Sequence, residues 1–170
     1  MGVERCPECG YDFGWDRTSL LARCDAFPIA LQDMLATADP ARVRRRTATG
    51  LWAPIEYGAH VGEAVHWYVG RIRRVLDEDR PRFEPFDFDA AAEEGEYGDR
   101  SVGDVVADVR TACRELADVA RAVSTVQLRR CGLGSDGSPR SVESLMVRAE
   151  HEVVHHELDL RRGLGLLSDF

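Results

Sequence analysis

All five histidines of this 170-residue chain sit in two short stretches, His60 and His66 in one, His151, His155 and His156 in the other. His151 and His155 are one turn apart if helical, about 6 Å along the axis and on one face. With Ser144, Val147, Val154 and Leu158 they make a mostly apolar stripe. Buried imidazoles need partners. Backbone or carboxylate hydrogen bonds could supply them, and so could a metal ion, since neutral imidazole binds Zn, Ni, Fe or Cu. The pair alone leaves both readings open; His60 tips the balance toward the ion. It lies beside Val61 and Ala64 at the edge of an apolar face, so a bundle that sets the two stretches side by side brings it against the pair. A divalent ion on His60, His151 and His155, with zinc or nickel foremost, keeps a coordination position for water or substrate, the mark of a reactive site. His66 and His156 point off these faces.

The neighbours of the pair also carry chemistry. His151-Glu152-Val153-Val154-His155 spells H-E-x-x-H, the helical zinc motif of metalloproteases, in which the Glu is the general base. The continuation does not suit a protease: Leu158 and Arg161 stand where the extended motif has Gly and His. Glu152, about 100° round the helix from His151, is then a solvated carboxylate or a catalytic base toward water at the metal. Asp159, one turn after His155, either orients that imidazole or answers Arg161 and Arg162 at the surface. Cys6-Pro7-Glu8-Cys9-Gly10 has the shape of half a zinc knuckle. Cys24 is a candidate third ligand, and a fourth must come from a histidine or a second subunit. A redox pair and an unliganded turn are the other readings of Cys6 and Cys9. Cys113 and Cys131 are read as structural.

Four amphipathic segments must position these groups, their apolar residues spaced three or four apart. The first runs from about Phe27 to Ala38. The second opens at Trp52-Ala53-Pro54, where proline suits the first helical turn, and continues to about Asp79 through Val61, Val65, Tyr68, Ile72 and Val75. The third starts at Ser101, a natural N-cap, and carries Val105, Val109, Ala112, Leu116 and Val119. The fourth starts at Ser141 and stops near Gly163. Between the second and third lies Pro81 to Asp99, long enough to cross the bundle or cover a site. Gly132 to Pro139 is a turn region, and no segment reads as a sheet. The expected fold is an all-α four-helix bundle over residues 27–170, preceded by a Cys-x-x-Cys segment over residues 1–26.

Composition excludes several classes. Hydrophobic residues are 44% and charged residues 31%, the balance of a globular chain rather than a disordered one. No apolar run approaches the roughly 20 residues of a membrane span. MGVERCPECG lacks a secretory layout, so the expected location is the cytoplasm. The net charge of −8 argues against a nucleic-acid partner. Arg42, Arg44, Arg45 and Arg46 are a local exception, read as a solvated turn or helix end.

Trp52-Ala53-Pro54-Ile55-Glu56-Tyr57-Gly58-Ala59-His60-Val61 resembles the W-S/A-P-x-E-Y-x-x-H-V/L opening of the DinB/YfiT-like superfamily. The helix His151-Glu152-Val153-Val154-His155-His156-Glu157-Leu158-Asp159-Leu160 is similar to its closing H-x-x-x-H-H-x-x-D-I/L segment. Cys6 to Asp12 and Phe88 to Asp99 are similar to actinobacterial members. The resemblance implies a four-helix bundle, often a homodimer, with a divalent metal on three histidines: by position His60, His151 and His155. It also implies thiol S-transferase or isomerase activity with a low-molecular-weight thiol such as mycothiol as cosubstrate. A cation lowers the pKa of a thiol beside it, which is the chemistry such an enzyme needs. The alternative is a non-catalytic metal or small-ligand binder that acts through a partner.

Overall fold

The computed structural model describes residues 5–167. Asp16 caps the first helix, α1 (Arg17–Thr37), by accepting from the Thr18 backbone N–H. α1 therefore begins at Arg17 rather than near Phe27. Leu20 and Cys24 extend its buried stripe toward the N-terminus, and the helix runs on through Pro28. A single turn, α2 (Pro40–Val43), leads to α3 (Pro54–Asp77), which opens with Pro54 in its first turn as expected. The long connection holds α4 (Phe88–Glu94) and a 3-10 turn at Tyr97–Asp99. Ser101 caps α5 (Val102–Ala122) by accepting from Asp104 N–H. Ser141 caps α6 (Val142–Leu164) by accepting from Ser144 N–H.

The expectation of no sheet needs a correction. β1 (Cys131–Leu133) and β2 (Pro139–Ser141) form an antiparallel hairpin, pairing Cys131 with Ser141, Gly132 with Arg140 and Leu133 with Pro139. Strands of three residues are too short to show a period-2 pattern, so only their turn residues are visible in the sequence.

α3 packs against both α5 and α6, and α1 closes the ring by packing on α5 and α6. This is the four-helix bundle, with α3 and α6 as direct neighbours. Its core interleaves Leu20 and Leu31 of α1, Ile55, Val61, Val65 and Ile72 of α3, Val105, Val109 and Leu116 of α5, and Leu145, Ala149, Val153 and Leu160 of α6. Each buried Val, Leu or Ile contributes on the order of 1.5–3 kcal/mol. Gly163 lies inside α6 rather than at its end. A side chain there would come within 2.9 Å of the Pro54 ring, and the helix instead stops at Gly165 with φ 66°.

Two backbone bonds fold the N-terminal segment into a knuckle: Cys6 N–H donates to Tyr11 O and Gly10 N–H to Cys6 O, both at 2.9 Å. Cys6 and Tyr11 are buried against Val147 of α6, separate from the main core.

Candidate metal centres on the sixth helix

The core stripe of α6 decides where its histidines point. Leu145, Ala149, Val153 and Leu160 are buried in the bundle, and a helix of about 100° per residue places His156 within roughly 20° of Ala149. His156 and, at the edge of the stripe, Glu152 thus face α3. His151 and His155 lie on the outer side of α6, under the N-terminal segment. The stripe expected from the sequence, Ser144, Val147, His151, Val154, His155 and Leu158, is that covered outer surface rather than the bundle core; Val147 and Val154 pack there with Cys6 and Tyr11.

The histidines therefore divide differently from the expected trio. His60 meets Glu152 and His156: one donor atom from each comes within 4.8 Å of the others. Glu152 Oε2 is 3.4 Å from His60 Nε2 and 3.4 Å from His156 Nε2. The rings of His60 and His156 are 4.7 Å apart, edge to face. Trp52 and Phe88 pack edge-on against His60, and Tyr57 stacks on His156. Phe88 comes from the long connection, which does cover a site. Glu152, read from the sequence as solvated, is largely buried between two imidazoles.

Asp159 Oδ2 is 3.0 Å from His156 Nδ1 and 3.7 Å from His155 Nε2, so the ring it holds more closely is His156. Burial works against the charge on His156, but Asp159 and Glu152 outweigh it and raise its pKa to about 9. Burial likewise opposes the Glu152 carboxylate, and the His156 and His60 hydrogen bonds overcome it and lower its pKa to about 2. Both shifts express one attraction: carboxylates gathered round imidazoles in a half-dry cleft favour a positive charge. His60 Nδ1 is buried with no hydrogen-bond partner among the described residues, while Nε2 is the nitrogen that faces Glu152. Two imidazoles and one carboxylate are the donor set of zinc sites with an open position and of non-haem iron sites.

His151 and His155 meet Cys6 and Cys9 instead, again with one donor atom from each within 4.8 Å. Cys6 Sγ is 3.6 Å from His155 Nδ1. The Cys9 backbone N–H foremost, then His151, with smaller help from Glu8 N–H and His155, outweigh burial and lower the Cys6 pKa to about 6. Phe13 and Tyr11 pack on the His151 ring. Cys24 is not part of this group: it is buried in α1, where a hydrogen bond with Cys113, then burial, pushes its thiol far up.

A family model described as the mycothiol maleylpyruvate isomerase N-terminal domain matches residues 24–161. The chain belongs to this family. The match places it within the DinB/YfiT-like superfamily, as the two motifs imply. Among solved structures, YfiT from Bacillus subtilis superposes with a TM-score of 0.73, covering 88% of this chain and 87% of that one at 18% identity. YfiT is described as a probable metal-dependent hydrolase with an unusual four-helix bundle topology; at this identity the likeness is one of fold. No curated protein matches.

Within the family frame, the superfamily opening motif has a visible purpose. Trp52 packs on His60, Glu56 closes the first turn of α3 by accepting from Ala53 N–H at 2.6 Å, and Tyr57 backs His156. Sequence reasoning missed His156 as a partner of His60. The buried spacing Leu145, Ala149, Val153, His156 and Leu160 was the signal for it. For the cysteines, the residues that face Cys6 and Cys9 are His151 and His155 rather than Cys24.

Proposed function

We propose that His60, Glu152 and His156 hold one divalent metal ion, and that the chain is a metal-dependent enzyme using a low-molecular-weight thiol, such as mycothiol, in S-transfer or isomerisation. The observation that carries this reading is the convergence of those three donors where α3 faces α6. The family description supports the thiol. When bound, a divalent cation supplies a positive charge that lowers the pKa of a thiol in its open position.

The chain's own residues do the rest. Asp159 holds His156 by Nδ1 and leaves Nε2 directed toward Glu152 and His60. Trp52 and Phe88 wall off His60, which is 4% exposed, and keep bulk water from that side. Glu152 is assigned as a donor to the ion rather than as the catalytic base, because its oxygen lies between the two imidazoles. Zinc remains the first candidate ion; exchanging an expected imidazole for a carboxylate moves the site away from nickel and toward zinc or iron. The reading carries with it a cytoplasmic location, where such thiols act, and a homodimer, to be measured by light scattering. No helix among the described residues is long and apolar enough to cross a membrane.

The test measures metal content and thiol conjugation together. Wild type, His60→Ala and Glu152→Gln are assayed with mycothiol and other small thiols against an electrophile panel that includes maleylpyruvate. Both variants are expected to lose the same equivalent of metal and the conjugation. Wild type that binds metal here but conjugates no thiol supports the second reading, a metal or ligand binder acting through a partner, which the near-complete cover over His60 favours. Metal content unchanged in both variants removes the site.

A further inference from the structure

We propose that Cys6, Cys9, His151 and His155 form a second, structural zinc site that clips the N-terminal segment onto the outer face of α6, beside the His60–Glu152–His156 centre. The donor set Cys2His2 is that of closed structural zinc sites, and C-x2-C followed by H-x3-H has their ligand spacing. Four donor atoms already within 4.8 Å of one another need only small adjustments to surround an ion.

Three further observations point to an ion there. The knuckle is preformed: Gly10 takes φ 73° and donates to Cys6 O, and Cys6 N–H donates to Tyr11 O. His151 Nε2 is buried with no partner among the described residues. The segment's apolar anchor is small, Cys6, Tyr11 and Val147 buried with Cys9, Phe13, Trp15 and Val154 partly buried around them, and the Tyr11 hydroxyl adds hydrogen bonds to Glu150 and to Val147 O. Metal binding would add folding free energy to this anchor directly. All five cysteines are unbridged.

The connection to the first centre runs through His155. Its Nδ1 faces Cys6, while its Nε2 lies 3.5 Å from Glu8 Oε2 and 3.7 Å from Asp159 Oδ2. That Asp159 oxygen is also the one 3.0 Å from His156 Nδ1. Carboxylates beside a ligating imidazole help to orient it; Asp159 Oδ2 bonds His156 Nδ1 and lies at ion-pair distance from His155 Nε2, so the two centres share one carboxylate neighbour.

The test separates the two centres. The zinc-loaded protein is compared with Cys6→Ser/Cys9→Ser and with His60→Ala for zinc per chain, and each is reloaded with Co(II). The double variant is expected to lose one zinc equivalent together with the thiolate-to-cobalt charge-transfer absorption, whereas His60→Ala loses the other equivalent and keeps that absorption. In wild type, Cys6 and Cys9 should resist iodoacetamide until a chelator is added. Wild-type cobalt protein without thiolate charge transfer overturns the proposal, as does unchanged zinc in the double variant, free alkylation before chelation, or a Cys6–Cys9 disulfide in protein purified with reductant. Should the double variant not fold, the cobalt spectrum and alkylation of wild type decide. Failure of the His60 centre leaves the thiolate absorption untouched, so the two readings fail separately.

Discussion

Arg46→Ala should cost about 2 kcal/mol of stability at neutral pH and almost nothing in acid. Glu56 is 7% exposed, and its carboxylate accepts from Ala53 N–H at 2.6 Å and from Arg46 twice, at 2.8 and 2.5 Å. Removing the guanidinium leaves a buried carboxylate with one backbone donor. Breaking a fully buried pair costs about 3–5 kcal/mol, but the Arg46 side chain is 54% exposed, so solvent screens part of the loss. About 2 kcal/mol remains, which for a chain of this length lowers Tm by roughly 4–8 °C.

The pH dependence follows from the direction of the shift. Burial pushes the Glu56 carboxyl up, yet Arg46 and the Ala53 N–H together hold it below its usual value of 4.5. A depressed folded pKa contributes stability that is present above pH 4.5 and disappears as pH falls through the folded value. Without Arg46 that depression goes, so the melting curves of wild type and variant should converge in acid. Thermal denaturation followed by circular dichroism, run across the acid range for Arg46→Ala, Glu56→Gln and the double variant, measures the coupling. A variant that melts with the wild type at neutral pH, or a cycle with no coupling, would refute the assignment of Glu56 as a paired buried charge.

Gly163→Ala should lower Tm by an amount corresponding to about 1–3 kcal/mol, because its new methyl meets the Pro54 ring at 2.9 Å; differential scanning calorimetry reads it. Tyr11→Phe removes the hydroxyl that donates to Glu150 Oε2 at 2.9 Å, and a loss of about 1–2 kcal/mol is expected in urea titration, since Glu150 keeps Ser19 and Arg23. Ser101→Ala deletes the oxygen that accepts from Asp104 N–H and should cost about 1 kcal/mol, read as faster amide exchange in the first turn of α5.

The fold was legible wherever a helix begins with a distinctive residue: Pro54, Ser101 and Ser141 mark three of the four long helices where the structure has them. α1 was legible only in its second half: its first turns carry Leu20 and Cys24 on the buried face, but Asp16, Arg17, Arg23 and Asp25 stand among them and Pro28 interrupts the pattern. Each chemically active residue type was visible, but its grouping was not, and the reason lies in the doubled pattern of α6. His151 and His155 form one pair a turn apart; Glu152 and His156 form another, rotated by about 100°. Either pair can face a bundle, and local spacing treats them alike. What separates them is the other two faces in contact with α6: α3 brings one histidine, the N-terminal knuckle brings two thiols. A lone His60 completes a set with a carboxylate and an imidazole, giving three donors and an open position, whereas two cysteines and two histidines close a shell of four. The one-residue shift along α6 therefore sets three possible donors on the bundle side and four on the outer face, with Asp159 between the two groups.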